Sequence, residues 1–374
     1  MSKRLRYIWQ DPSWPNFKWN SDSLMALLEE VGFQQGELIG KFRSYGPTQS
    51  KELWLENLIQ EATSTSKIEG IEIDANSFRS SLLKKLGMKQ IYKSHKRTED
   101  GLAELLISCT QYYQERLSLK MLHGWHRELF PTGVSGLMRI TAGKFRPEGI
   151  QVVSGITRER VHFEAPSAKS VLKEMKSCIA WINRNDAIPG NVKAGIAHLY
   201  FITVHPYEDG NGRLARCLSD FLLAKNERIG MRSYSFSKAI YKKRNEYYEI
   251  LEKTQKGGMD ITMWLQWFLE TLKEAVLDSH IMIKAVQDKA CYWTYAYKMG
   301  VSERQEKVLR KMTDMHPQEF LGGMTPKKYA SINSCLPEAA SREIRDLLKK
   351  NLLKKDPSSG GGRSVRYILN VDLS

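Results

Sequence analysis

Apolar residues recur at helical spacing along most of the chain. Residues 22–44, "DSLMALLEEVGFQQGELIGKFRS", set them three and four apart, which predicts an amphipathic helix. The same spacing predicts helices over 50–70, 76–87 and 100–117, and over 119–130, where Pro131 supplies the stop. The texture then changes. "GKFRPEGIQVVSG" and "VHFEAPSA" are two extended runs about a turn-rich middle and predict a β-hairpin. Helices resume over 167–185, 191–204, 211–226, 242–254 and 261–287. Beyond residue 300 come "SERQEKVLRKMTDM", "TPKKYASI" and "LPEAASREIRDLLKKNLL", then two short strands about the Gly-rich tip "SSGGGRS". Three helices and a hairpin in that order are the winged-helix pattern.

A length of 374 residues sets an expectation of two to three domains, and 41% hydrophobic with 26% charged residues is ordinary for a globular chain. No apolar run reaches the length of a membrane span, so no membrane partner is expected. The start, "MSKRLRYIWQDPSW", is basic without an apolar core, so a secretory leader is not expected. Trp9, Trp14 and Trp19 stand among Pro12 and Pro15 and read as an irregular leader laid on a helical body. Five scattered cysteines without a CxxC spacing argue for a reducing, cytoplasmic setting and against a disulfide framework or a zinc site. The net charge of +15 suits anionic partners, although many basic proteins bind nothing on that account.

One stretch concentrates chemistry. "HPYEDGNGRLAR", residues 205–216, lies between the helix "NVKAGIAHLYFITV" and the helix that opens at Gly212. The N–H groups at a helix start are unpaired, and the dipole adds positive potential there. Gly210 and Gly212 allow the backbone angles of a concave nest of N–H groups, which binds phosphate. Arg213 and Arg216 are three apart and share one helix face, with guanidinium forks that match phosphate oxygens. Asp209 is placed to hold a hard divalent cation such as Mg²⁺. His205 is the loop's one group that titrates near neutrality, the natural general base. Each feature alone is commonplace; the conjunction in order between two helices is what marks a site.

The stretch resembles the signature of the Fic family, His-Pro-Phe-x-(Asp/Glu)-Gly-Asn-Gly-Arg-x-x-Arg. Every defining position matches except Tyr207, where the family usually has Phe. The aromatic anchor is kept, so its ring is expected to pack inward and its hydroxyl to need a partner. With the preceding hairpin and the following helices, the resemblance covers residues 115–275. It implies a mainly α fold: a Fic helical core with a β-hairpin flap, a helical N-terminal region and a C-terminal winged-helix domain. The corresponding partition is 1–112, 113–275, a linker helix over 276–299, and 300–374. The implied activity is transfer of AMP from ATP, with Mg²⁺, to a Ser, Thr or Tyr hydroxyl of a target protein, itself included. Carried over by position, His205 takes the hydroxyl proton and Asp209 holds Mg²⁺. Gly210, Asn211 and Gly212 cradle phosphates, and Arg213 and Arg216 bind the outer ones. Val152, Val153 and Ser154 on the flap would align an extended target segment by β-augmentation, or simply cover the core. Tyr247 and Tyr248 line the adenine pocket or, for one of them, the helical core; Tyr248 is the choice for the pocket.

"TSTSKIEG" sets Thr65 and Glu69 four apart on one helix face. Ser66 to Glu69 also fits a capping box, but that would open a helix, whereas Gly70 suits a helix stop. The string resembles the Fic inhibitory motif, (Ser/Thr)-x-x-x-Glu-(Gly/Asn), at Thr65, Glu69 and Gly70. The resemblance implies that Glu69 pairs with Arg216 and keeps ATP out of the productive pose, or orients a water for AMP removal. From residue 300 on, 14 Lys/Arg face 9 Asp/Glu, a mild excess for a DNA contact. The rival to an autoinhibited adenylyltransferase is a DNA-binding regulator whose Fic body senses nucleotide; a narrower rival transfers or removes another nucleotide or phosphate group. A homodimer and DNA at the winged helix stay open as partners.

Overall fold

In the computed structural model, which describes residues 7–88, 97–154, 160–314, 323–359 and 365–370, fourteen α-helices, one short 3₁₀ helix (Ile8–Gln10) and six short strands make up the regular structure. The strands form three separate antiparallel pairs. The chain divides into two compact units, Met1–His280 and Ile281–Ser374.

The first unit begins with α1 (Ser21–Ser44), α2 (Pro47–Ile68), α3 (Ala75–Lys85) and α4 (Arg97–Gln111). Their starts follow local rules: Asn20 accepts the Ser23 N–H, Pro47 opens α2, and Asp74 accepts from Asn76 and Ser77. After α5 (Leu119–Leu129) come a small hairpin, β1 (Val134–Ser135) with β2 (Met138–Arg139), and a larger one, β3 (Gln151–Ser154) with β4 (Arg160–Glu164). Val152 lies opposite Phe163, and the register slips between Val152 and Val153. The unit continues with α6 (Ala168–Ile182), α7 (Gly190–Val204), α8 (Asn211–Glu227), α9 (Phe236–Lys242), α10 (Arg244–Gln255) and the start of α11 (Thr262–Lys298).

The core centres on α7, apolar on all sides in sequence and buried at every residue from Ala194 to Val204. Gly195 permits the close approach of α11: a Cβ there would lie 3.0 Å from Leu265, and Trp264 Nε1 donates to the Gly195 carbonyl at 2.8 Å. The one imidazole in the middle of α7, His198, is paired at both nitrogens, with Ser219 Oγ and Tyr247 Oη each at 2.9 Å. Burial pulls its pKa down to about 3. The aromatic leader is tied to the larger hairpin: Tyr7 packs edge-on against Phe163 and Trp9 Nε1 donates to the Glu164 carbonyl at 2.8 Å.

The second unit holds α12 (Glu303–Asp314), α13 (Pro326–Asn333), α14 (Pro337–Lys349), β5 (Leu353–Lys355) and β6 (Tyr367–Leu369). Ala340, Ile344 and Leu347 form the apolar face of α14 and meet Val308, Leu309 and Tyr329 in its core. Residues 360–364 of the Gly-rich tip lie outside the described residues. One helix, α11, runs through both the helix expected over 261–287 and the linker helix expected over 276–299, and no Gly or Pro interrupts the chain from Thr262 to Lys298. Short α9 was not anticipated; its seven residues are too few to show a period. No described helix is long and apolar enough to cross a membrane.

Candidate active site at the α7–α8 loop

Helix α7 stops at His205, whose backbone turns left-handed (φ 50°, ψ 60°), an uncommon conformation for a residue with a Cβ. Arg146 holds this corner. Its Nε donates to the His205 carbonyl at 2.7 Å, Nη1 to that of Glu148 at 2.5 Å, and Nη2 to those of Pro166 and Val204. Its own N–H reaches the Pro206 carbonyl at 3.0 Å. Arg146 is buried, and burial draws its pKa below that of a free arginine. Sequence reasoning missed this residue, which sits unmarked in "GKFRPEG".

The His205 ring lies with Nδ1 at 3.2 Å from the Ile202 carbonyl. That bond requires the proton on Nδ1 and leaves Nε2 with a free lone pair. Burial pushes the pKa of His205 down to about 4, Arg146 adding to the effect and the Ile202 carbonyl, Glu69 and Asp209 opposing it. At neutral pH the ring is an unprotonated base.

The loop itself is closed by side chains. Asn211 Oδ1 accepts the Tyr207 N–H at 2.9 Å and Asn211 Nδ2 donates to the Tyr207 carbonyl at 2.8 Å. The Asn211 side chain is therefore committed to the loop. The Tyr207 ring is fully buried and stacks on His126 at 4.1 Å, with its hydroxyl 3.0 Å from His123 Nδ1. Gly210 has φ 79°, and a Cβ there would meet Leu129 and Phe130 at 2.7 Å, so only glycine fits. His126 accepts the Gly143 N–H at Nδ1 (2.8 Å) and so carries its proton on Nε2, which faces the Asp209 carbonyl at 3.2 Å. Burial draws its pKa down to about 4.

The Asp209 carboxylate accepts the Gly210 N–H at 2.6 Å through Oδ1 and the Ser135 hydroxyl through Oδ2, with Arg213 Nη2 at 3.6 Å. Its side chain is 45% exposed. Among the described residues no group of three or more His, Cys, Asp or Glu side chains converges on one point. A single accessible carboxylate suits a hard cation that brings its remaining oxygens from water and phosphate, as Mg²⁺ does. It does not suit zinc, which takes nitrogen and sulfur ligands.

Helix α8 opens at Gly210 without a side-chain cap, so its first N–H groups stay available. What faces them is Glu69: a Cβ added to Gly212 would collide with Glu69 Oε1. Arg216 is 1% exposed and turned to α2. Its Nε donates to Thr65 Oγ1 at 2.8 Å, and its Nη2 to the Thr65 carbonyl at 3.1 Å and Glu69 Oε1 at 2.7 Å. Burial alone would lower the pKa of Arg216; Glu69 beside it outweighs that and holds it up. Arg216 Nη1 and Arg213 Nε have no hydrogen-bond partner among the described residues. Arg213 lies over the Phe130 ring at 5.0 Å.

Glu69 is placed by the end of α2. Ile71 N–H donates to the Ser66 carbonyl at 2.9 Å and Gly70 N–H to that of Lys67 at 3.1 Å, with Gly70 at φ 74°. This is a Schellman stop rather than a capping box. The Ile68 carbonyl, left over at the helix end, accepts Arg244 Nε at 2.7 Å and the Tyr248 hydroxyl at 3.1 Å. The Tyr248 hydroxyl thus ties to α2, and the residue remains 40% exposed; Tyr247 is buried in the core. Arg244 was also missed, because nothing distinguishes it within "KKRNEYY". Val152 and Val153 stand exposed on β3, and Ser154 ends that strand. The partner strand β4 is tied to α10 through Glu252, which meets His162 at 2.7 Å and Arg160 at 3.2 Å.

Residues 116–223 match the Fic/DOC family, and residues 7–88 match a domain of unknown function, DUF4172. A protein adenylyltransferase, fic-1, from Caenorhabditis elegans is 32% identical over 101 residues, covering 26% of this chain and 18% of its own length. A probable protein adenylyltransferase from Aquifex aeolicus (strain VF5), aq_aa38, is 27% identical over 97 residues, covering 26% of this chain and 28% of its own. The chain thus spans less than a third of either relative. The crystal structure of a Fic family protein from Desulfovibrio desulfuricans G20 superposes with a TM-score of 0.53 at 17% identity, over 92% of this chain and 95% of that one, a likeness of fold.

Proposed function

From the Fic/DOC family domain that residues 116–223 form, we propose that the protein transfers AMP from ATP to a hydroxyl of a target protein and is restrained by its own α2. The observation that carries the reading is His205 with an unprotonated Nε2 beside a glycine-bracketed helix start and two arginines. Names of the relatives, protein adenylyltransferases, point the same way.

The triphosphate of ATP lies along the opening of α8, where N–H groups and dipole favour anions. Arg213 and Arg216 pair with the outer phosphates. Nε2 of His205 takes the proton from the target hydroxyl. That oxygen forms a bond to the α-phosphorus as the bond from α-phosphorus to the bridging oxygen breaks, and pyrophosphate leaves with the electron pair. Asp209 is the residue to hold Mg²⁺, which when bound supplies charge that stabilises the phosphoryl oxygens. Tyr207, Asn211 and Arg146 fix the loop so that little reorganisation accompanies reaction. An extended target segment adds to β3 at Val152–Ser154.

The brake follows from Glu69 Oε1, which takes Arg216 at 2.7 Å and lies against Gly212. A carboxylate in that place repels a phosphate and withholds an arginine. Replacing Glu69 by Gly removes a charge-assisted bond worth about 1.5–3 kcal/mol, so labelling by α-radiolabelled ATP should rise ~10–100-fold. Equal labelling of Glu69→Gly and wild type would refute the brake, and no labelling of any protein by either would refute the transfer.

A further inference from the structure

Residues 130–143, between α5 and Arg146, take no part in the mechanism above, yet they reach the loop at two points directly and at a third through His126. Ser135 Oγ donates to Asp209 Oδ2. Thr141 N–H donates to Glu208 Oε2 at 2.7 Å. Gly143 N–H donates to His126 at 2.8 Å, and His126 reaches the Asp209 carbonyl. The backbone is shaped for this course: Gly133, Gly136 and Gly143 turn left-handed at φ 68°, 56° and 75°, and Ile140 N–H closes on the Gly133 carbonyl at 3.0 Å. A Cβ at Gly143 would lie 2.6 Å from Arg127 Nη1, so the segment is pressed onto α5.

Of the three contacts, two brace the loop and one reaches a group that would touch a cation. Oδ1 of Asp209 is occupied by the Gly210 N–H at 2.6 Å. On the other side, Arg213 Nη2 stands 3.6 Å from Oδ2. With Ser135 absent, Arg213 would be the one side-chain donor near Oδ2 among the described contacts and would draw the carboxylate toward α8. A carboxylate oxygen has two lone pairs, so Oδ2 accepts the hydroxyl and still presents a lone pair outward. We propose that Ser135 is a positioning residue, whose hydroxyl holds the Asp209 carboxylate in the orientation that takes a divalent cation together with the triphosphate. The inference rests on the nucleotide reading above and adds to it a residue from outside the motif. Groups that orient a metal ligand in this way typically change metal affinity ~10–100-fold when removed.

The test uses the full chain in its Glu69→Gly form, with residue 135 as Ser, Ala or Thr. Mn²⁺ serves as probe, its free fraction followed by electron paramagnetic resonance in the presence of saturating α,β-methylene-ATP. Affinity for the same nucleotide is measured separately in EDTA. Ser135→Ala should weaken Mn²⁺ binding about tenfold with the EDTA affinity unchanged, and Ser135→Thr should restore it. Equal Mn²⁺ affinity in the Ser and Ala forms overturns the inference while leaving the nucleotide reading intact. So does a parallel fall of Mn²⁺ and EDTA affinities, which would mean loss of the loop as a whole. Failure of the nucleotide to bind even with Ser135 present would remove the nucleotide reading and this inference together.

Discussion

The two ends of the loop are held in opposite ways. At the His205 end the contacts come from nearer in the chain: α7 runs into the corner, Ile202 orients the ring, and Arg146, 59 residues away, gathers four carbonyls around it. At the Arg216 end the contacts come from 147 and 151 residues away, from Glu69 and Thr65 on α2. In the proposed mechanism the base is thus built into the domain, whereas the arginine assigned to phosphate is held by another helix. Under that proposal one end sets whether chemistry can occur and the other whether the nucleotide can sit.

The largest effect expected at the local end is loss of the base. In the Glu69→Gly background, His205→Ala should lower AMP transfer by ~10²–10⁴-fold, the usual range for a general base. The intact Glu69→Gly form should keep its rate well below neutral pH. The His205 ring is unprotonated above its depressed pKa of about 4 and loses competence as pH falls through that value. Removing Glu69 withdraws a carboxylate that raises this pKa, so the acid limb shifts lower still. A rate profile that instead broke near pH 6.5, the value of an unburied imidazole, would show that the corner does not hold His205 as described.

Next in size is the clamp at that corner. Arg146→Ala leaves the carbonyls of His205, Glu148, Pro166 and Val204 without their donor. The expected cost is ~2–4 kcal/mol in urea unfolding, together with a fall in rate. Arg146→Lys should recover little, because one ammonium cannot reach carbonyls spread around a planar fork. Unchanged stability in the alanine variant would mean that the left-handed His205 is held by Pro206 and α7 alone.

What the sequence displayed follows the same division. The loop between two helices was legible, because a helix stop, two glycines, an acid and two arginines fall within twelve residues. So was the mainly α architecture with a hairpin before the motif, since both periods are long enough to register. The supports were not legible. Arg146, Ser135, His126 and Arg244 each act through contacts made across the fold, and a lone residue of common type carries no pattern. Asn211 illustrates a different limit: spacing places it in the motif but does not show that its side chain closes its own loop. Tyr248 likewise shows that a position on a helix does not fix which neighbour its hydroxyl will find.

The smallest effect concerns how firmly the borrowed end is held. Glu69 stands one residue past α2, and the carbonyl of Ile68 just before it is grasped by Arg244 and Tyr248 of α10. If this grip keeps the end of α2 in place, loosening it should release Glu69 in part. Tyr248→Phe removes one hydrogen bond of about 0.5–1.5 kcal/mol and should raise basal labelling ~2–10-fold. Arg244→Ala should do at least as much. Tyr248 is also the residue that the sequence resemblance assigns to the adenine pocket, so each substitution needs a partner measurement. In the Glu69→Gly background there is no brake left to release, and the gain should vanish or turn to a loss. A gain of equal size in both backgrounds would mean that Tyr248 acts on the nucleotide and not on α2, and the two ends of the loop would then be coupled through α10 rather than held apart.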